Sequence, residues 1–124
     1  MSPASHLESG NAAERQAETY LHAQGLTTLS RNYRCKGGEL DLVMRSPQGE
    51  IIFVEVRYRR SASHGGALAS IDWRKQRRII HAAQHYLLTH RLQQQPCRID
   101  VLLIQGSQNQ QTRLEWLRNA IEVA

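Results

Sequence analysis

Gly38-Glu-Leu-Asp-Leu-Val-Met-Arg-Ser-Pro-Gln-Gly-Glu-Ile-Ile-Phe-Val-Glu-Val-Arg57 holds two strands and the turn between them. The turn is Ser46-Pro47-Gln48-Gly49. Proline suits the second position of a type I turn, and a glycine directly after it suits the left-handed residue of a three-residue hairpin loop. That choice sets a register with Ser46 opposite Glu50, Val43 opposite Phe53, Asp41 opposite Glu55 and Glu39 opposite Arg57. Side chains alternate along a strand, so Leu40, Leu42, Met44, Ile52, Val54 and Val56 share the other face, which is uniformly apolar and belongs to a core. Turn chemistry and apolar pattern select the same pairing.

Upstream, Ala13, Ala17, Tyr20, Leu21 and Gln24 recur at helical spacing over 10–24, and Gly25 supplies a C-terminal stop. Strands are expected over 26–33, 39–45 and 51–58. After a loop with Gly65 and Gly66, a second helix is expected from Ser70, its N-cap, to about Arg91, with Asp72 in the first turn. Strands over 97–104 and 113–116 and a short helical tail to Val123 complete the order α-β-β-β-α-β-β. Short loops make the first three strands an antiparallel meander, while the long helix before the fourth permits a crossover to a parallel neighbour. The fold class expected is α/β: one three-layer α/β/α domain over 1–124, a mixed central sheet of about five strands with a helix on each face. Residues 1–9 are expected as a flexible N-terminal segment.

The 124 residues fit one domain, and 40% hydrophobic with 22% charged residues is the balance of a globular chain. A net charge of +5 and a pI near 9.8 favour polyanion partners, nucleic acid before an anionic membrane surface. The longest apolar runs, 51–54 and 101–104, are too short to span a bilayer, and residues 1–10 lack the apolar run of a signal peptide. Cys35 and Cys97 form no CxxC and read as strand residues of a reducing compartment, so a cytoplasmic protein is expected. His81 and His85 have a spacing that suits zinc but no third ligand, and read as surface residues. Trp73 and Trp116 read as packing residues rather than base-stacking platforms.

The chemistry lies in the hairpin. Asp41 and Glu55, placed opposite each other, repel unless one holds a proton or a cation sits between them. A hard divalent ion is commonly held by one or two carboxylates with water and phosphate. The alternative is a solvated ladder of cross-strand charges, in which Glu39 faces Arg57. Glu14 borders the stripe of Ala17 and Leu21 and can lean over the sheet, or it can join surface charges such as Arg15 or Arg31. Lys75 falls on the apolar stripe of Ile71, Ile79, Ala82, Ala83 and Tyr86, so it either reaches the site or snorkels to solvent. Arg59 and Arg60 lead out of the site toward Ser63-His64-Gly65-Gly66. With Arg74, Arg77, Arg78, Lys36 and Arg34 they could line a groove that grips phosphates without reading sequence. For the helix residues the plain alternative is a solvated face.

Gly10-x-x-x-Glu14-x-x-Ala17-x-x-Tyr20-Leu21, Arg31-Asn32-Tyr33-Arg34, Gly37-Gly38-Glu39-Leu40-Asp41-Leu42, Phe53-Val54-Glu55-Val56-Arg57-Tyr58-Arg59, Lys75, Arg98-Ile99-Asp100-Val101 and Asn119-Ala120 together resemble the bacterial YraN family in order and spacing. The resemblance runs from about Gly10 to the C-terminus. That family is similar to the PD-(D/E)XK nucleases, with their restriction endonuclease-like fold, and close in pattern to archaeal Holliday-junction resolvases. There a helix glutamate, a hairpin aspartate and a Glu-x-Lys pair hold Mg²⁺ and activate water. The resemblance implies Glu14, Asp41 and Glu55 as ligands of Mg²⁺ (or Mn²⁺). It puts Arg57 at the lysine position, where it can orient water or stabilise phosphate charge but cannot act as a base. Lys75 is the candidate substitute. The implied function is a Mg²⁺-dependent endonuclease hydrolysing phosphodiesters in structured or branched DNA, DNA ahead of RNA, with a homodimer by analogy to resolvases. The alternatives are a catalytically degenerate nucleic-acid-binding module with the nuclease fold, and an interaction protein whose carboxylates are merely solvated.

Overall fold

Gly49 adopts a left-handed φ of 89°. Its N–H donates to the Ser46 carbonyl at 2.9 Å, and the Ser46 N–H donates to the Glu50 carbonyl at 2.9 Å. This is the loop expected from Ser46-Pro47-Gln48-Gly49. It sets β2 (Gly38–Arg45) against β3 (Ile51–Arg59) with Val43 facing Phe53 and Leu42 facing Val54, the register read from the sequence. The structure, a computed structural model, describes residues 4–59, 71–106 and 112–122, with the backbone alone for 4–11 and 59.

Around the hairpin lie α1 (Ala4–Ala23), β1 (Thr27–Cys35), α2 (Trp73–Thr89), β4 (Cys97–Gln105) and β5 (Arg113–Ile121). The sheet order is β1-β2-β3-β4-β5. Only the β3–β4 pair is parallel, and α2 lies between these two strands in the chain, as a crossover requires. Alternation then divides the apolar residues between two faces. Leu42, Met44, Ile52, Val54, Leu102 and Ile104 pack under Ala13, Ala17 and Leu21 of α1. Val43, Ile51, Phe53, Ile99, Val101 and Leu103 pack under Ile79, Ala82, Ala83 and Tyr86 of α2. The result is the α/β/α layering expected, with β3 and β4 apolar on both sides because both are covered. No helix among the described residues is long and apolar enough to cross a membrane.

Three element boundaries differ from expectation. The backbone of α1 is already helical from Ala4, so residues 4–9 extend the helix that was expected to start at 10. The N-cap of α2 is Asp72, which accepts the Lys75 N–H at 2.8 Å. Ser70, the expected cap, lies outside the described residues. β5 runs to Ile121 where a helical tail was expected. The cause is a buried carboxylate: Asp100 accepts the Asn119 N–H at 2.8 Å, Trp116 Nε1 at 2.8 Å and Arg98 Nε at 3.0 Å. With Asn119 at a φ of 51° and the register shifting between Ile99 and Val101, these bonds hold the strand through a bulge. Tertiary contacts override the weak helical preference of the segment.

Gly38 is the point where α2 meets the hairpin. A Cβ there would overlap the Arg78 carbonyl oxygen, so the absence of a side chain lets the α2 backbone rest on the start of β2. Gly38→Ala is expected to destabilise the protein by about 1–3 kcal/mol through overpacking, measured as a lower urea midpoint with unchanged slope.

Candidate functional site

Leu40 and Leu42 stand two apart and should share a face, yet Leu40 packs under α2 and Leu42 under α1. β1 reverses at the matching place. The Arg31 guanidinium reaches Glu18 on α1, while Tyr33 packs against His85 and Tyr86 of α2. Between them Asn32 takes a left-handed φ of 51°, which asparagine tolerates better than most residues. The two strands therefore turn over together at Asn32 and Asp41. The expected face with Leu40 beside Leu42 is corrected accordingly.

This reversal ends the β2–β3 ladder at Leu42 and Val54. Beyond it the Asp41 side chain stands in for the backbone: its Oδ2 accepts the Val56 N–H at 2.8 Å. Asp41 and Glu55 still meet, as expected, but across a splayed hairpin rather than a regular ladder. Glu39 does not face Arg57. It lies 3.6 Å from Arg34, and the Arg57 Nε is buried with no hydrogen-bond partner among the described residues. The solvated-ladder arrangement is therefore not the one adopted.

Glu55 is 4% exposed. Burial, a hydrogen bond to Asp41 and the Asp41 charge together push its carboxyl up to about 9, against the pull of Lys75 and Arg57. Lys75 Nζ lies 3.4 Å from Glu55 Oε2, so the stripe lysine reaches the site while its side chain stays partly exposed. Glu14 is half-buried on α1, and its carboxyl is also raised, by burial first and then by the charges of Asp41 and Glu39. Its alternative partner Arg31 is taken by Glu18, at 2.8 and 2.9 Å. Even so, among the described residues no three His, Cys, Asp or Glu side chains converge as a metal-holding set. The expected triad is thus present as a close pair, Asp41 and Glu55, with Glu14 as a neighbouring charge.

A family model described as "Uncharacterised protein family UPF0102" matches residues 13–104, a span containing Glu14, Asp41, Glu55, Arg57 and Lys75. The chain belongs to that family. Among curated relatives, a UPF0102 protein of Pseudomonas putida (strain W619) is 53% identical over 123 residues, covering 98% of this chain and 99% of that one. A UPF0102 protein of Saccharophagus degradans is 49% identical over 118 residues, covering 94% and 95%. One from Cupriavidus metallidurans is 51% identical over 115 residues, covering 92% and 81%. Among solved structures, Pyrococcus furiosus SfsA in complex with Ca²⁺ is similar over 91% of this chain and 63% of that chain, at 14% identity and a TM-score of 0.40. A likeness that loose carries no weight for function.

The basic residues of this UPF0102 chain divide into groups. Lys36, Arg77 and Arg78 line one open groove of 600 Å³ with Gly37, His81 and His85. His81 and His85 are surface residues, as expected, held by the Lys36 carbonyl and the Tyr33 hydroxyl. Arg74 lies outside the groove beside Trp73. Arg59 ends β3, and Arg60 and the glycine loop lie outside the described residues. Trp116 packs as expected, edge-on to Tyr20 and bonded to Asp100. Trp73 does not: it is 62% exposed.

The raised Glu55 carboxyl makes stability depend on pH. The folded chain keeps a proton that the unfolded chain, with an ordinary value of 4.5, releases. The stability that proton contributes is complete below 4.5 and is lost as pH climbs to about 9. Thermal unfolding across that window should show the wild type weakening with pH and Glu55→Gln, which keeps a neutral donor there, weakening less. Parallel curves for the two proteins would contradict the assignment.

Proposed function

We propose that this UPF0102 chain is a divalent-ion-dependent nuclease of the PD-(D/E)XK type, hydrolysing phosphodiesters in structured or branched DNA. The observation that carries the proposal is the buried Glu55 carboxyl facing Asp41 with Lys75 Nζ at 3.4 Å. Two carboxylates in this position repel each other, and Glu55 resolves the repulsion by holding a proton. A hard cation would resolve it equally well, and oxygen pairs of this kind suit Mg²⁺ or Mn²⁺. The residues therefore fit such an ion, with Asp41 and Glu55 holding it and Glu14 adding charge nearby.

When bound there, the ion supplies a Lewis acid for a phosphoryl oxygen and a more acidic water. The rest falls to the chain's own residues. Lys75, fixed against Glu55, holds and orients the attacking water. Arg57 stays protonated and cannot take up a proton, so its work is to stabilise the charge that develops on the phosphate. Lys36, Arg77 and Arg78 hold flanking phosphates. A cut in both strands of a branched substrate would draw on two copies of the site, hence a homodimer.

A second reading has its own observation. Arginine at position 57, together with a carboxylate pair instead of a converged triad, also suits a binding module that has lost catalysis. Cleavage of labelled branched and single-stranded DNA with Mg²⁺ or Mn²⁺ separates the two. The nuclease reading expects metal-dependent cutting that falls at least about 100-fold in Glu55→Ala, and divalent-ion binding lost in Asp41→Ala. Salt-sensitive DNA binding with no turnover would select the binding module.

A further inference from the structure

Among the described residues, Tyr58 and Trp73 are the two aromatic rings in the set of exposed large apolar side chains, at 52% and 62% exposure. Both lie near residues of the site along the chain. Tyr58 follows Glu55 and Arg57 on β3, and alternation puts it on the opposite face of the sheet from Glu55. Trp73 opens α2, two residues before the Lys75 that touches Glu55.

Trp73 carries positive charge beside it. The Arg74 and Arg77 guanidinium carbons lie 5.9 and 5.6 Å from its ring centroid. Arg77 also lines the basic groove with Lys36 and Arg78, so ring and groove form one continuous surface. A largely exposed aromatic ring with guanidinium groups beside it matches a nucleotide: the base stacks on the ring and its phosphate meets the guanidinium.

The geometry restricts what kind of nucleic acid can use both rings. At 3.6 residues per turn, Trp73 and Lys75 point roughly 200° apart around α2. A strand passing the carboxylates must therefore bend around the first turn of the helix, within about one helix diameter of ~10 Å. Duplex DNA, with a persistence length of ~50 nm and its bases stacked inside, can neither follow that path nor offer a base face. We infer that the nucleic acid is single-stranded where it crosses the site, with one unpaired base stacked on Trp73 and another on Tyr58. This rests on the reading that the site takes nucleic acid, and it deepens that reading from "structured DNA" to an unpaired segment.

The test is fluorescence anisotropy in EDTA, so that nothing is cut. It compares a labelled oligothymidylate of about 12 nucleotides with a blunt hairpin duplex. The wild type should prefer the oligothymidylate. Trp73→Ala and Tyr58→Ala should each weaken it about tenfold, leave the duplex unchanged and leave the thermal transition in place. Trp73→Phe should keep most of the affinity. Leu88→Ala, at the other end of α2 and equally exposed, should change nothing. Unchanged oligothymidylate binding in both alanine variants, or equal losses on oligothymidylate and duplex, would overturn the inference. Cleavage assays keep it distinct from the nuclease reading. Glu55-dependent cutting of duplex that ignores Trp73 and Tyr58 would sink the single-strand inference and leave the nuclease. Ring-dependent binding without any cutting would do the reverse.

Discussion

Everything at the site depends on one hydrogen bond, from the Val56 N–H to the Asp41 carboxylate. In a regular antiparallel ladder a backbone carbonyl would occupy that place. Putting a side chain there lets β2 leave β3 without abandoning a buried N–H, so the hairpin can open at one end while its loop end stays paired. The opening is what brings an acidic side chain into the gap between the strands. An isolated kink would leave unpaired backbone in the sheet, but β1 turns over beside β2, with Asn32 in the left-handed region, and the pairing of Tyr33 with Leu40 resumes past it. The site is thus a defect shared by two strands and closed by one carboxylate.

That carboxylate creates a second problem, since its charge lies against a buried neighbour. Glu55 can be neutral by protonation or paired with Lys75, and on the proposed reading a cation would compete for the same oxygens. At neutral pH the proton holds the advantage because Lys75 is partly exposed and its attraction is partly screened, while the burial of Glu55 is nearly complete. A metal would have to displace that proton, so affinity for it should rise with pH.

The hairpin register was legible because two independent signals, turn chemistry and apolar alternation, agreed on it. The reversal at Asp41 was not, because alternation assumes a strand that never turns over. A signal was available in the unbroken run Leu42-Val43-Met44, apolar on both faces, which marks where β2 becomes covered on each side. Lys75 was legible as an anomaly on an apolar stripe, and the anomaly was the contact with Glu55. Glu14 was placed on the correct face, but its distance from Glu55 depends on how α1 crosses the sheet, which no local pattern encodes. Trp73 was misread because a tryptophan is ordinarily worth burying. Its position on α2, half a turn round from Ala82, already pointed it away from the core. The tail after Trp116 was misread because the bonds that keep it extended come from Asp100 on another strand.

Arg57 and Lys75 are best understood together. A single lysine two residues after a metal-binding glutamate would have to serve both water and phosphate from one flexible stem. Here a strand position supplies a permanently charged, planar donor, and a helix position supplies a compact ammonium group that touches the glutamate directly. The arginine Nε is buried, so on the proposed reading little rotamer freedom would be lost when an anion arrives. The lysine comes from the first turn of α2, the same turn that carries Trp73, so whatever engages the ring bears on the position of the ammonium group as well. On the proposed reading, substrate grip and water positioning would be coupled through one helical turn, which Asp72 caps through the Lys75 N–H.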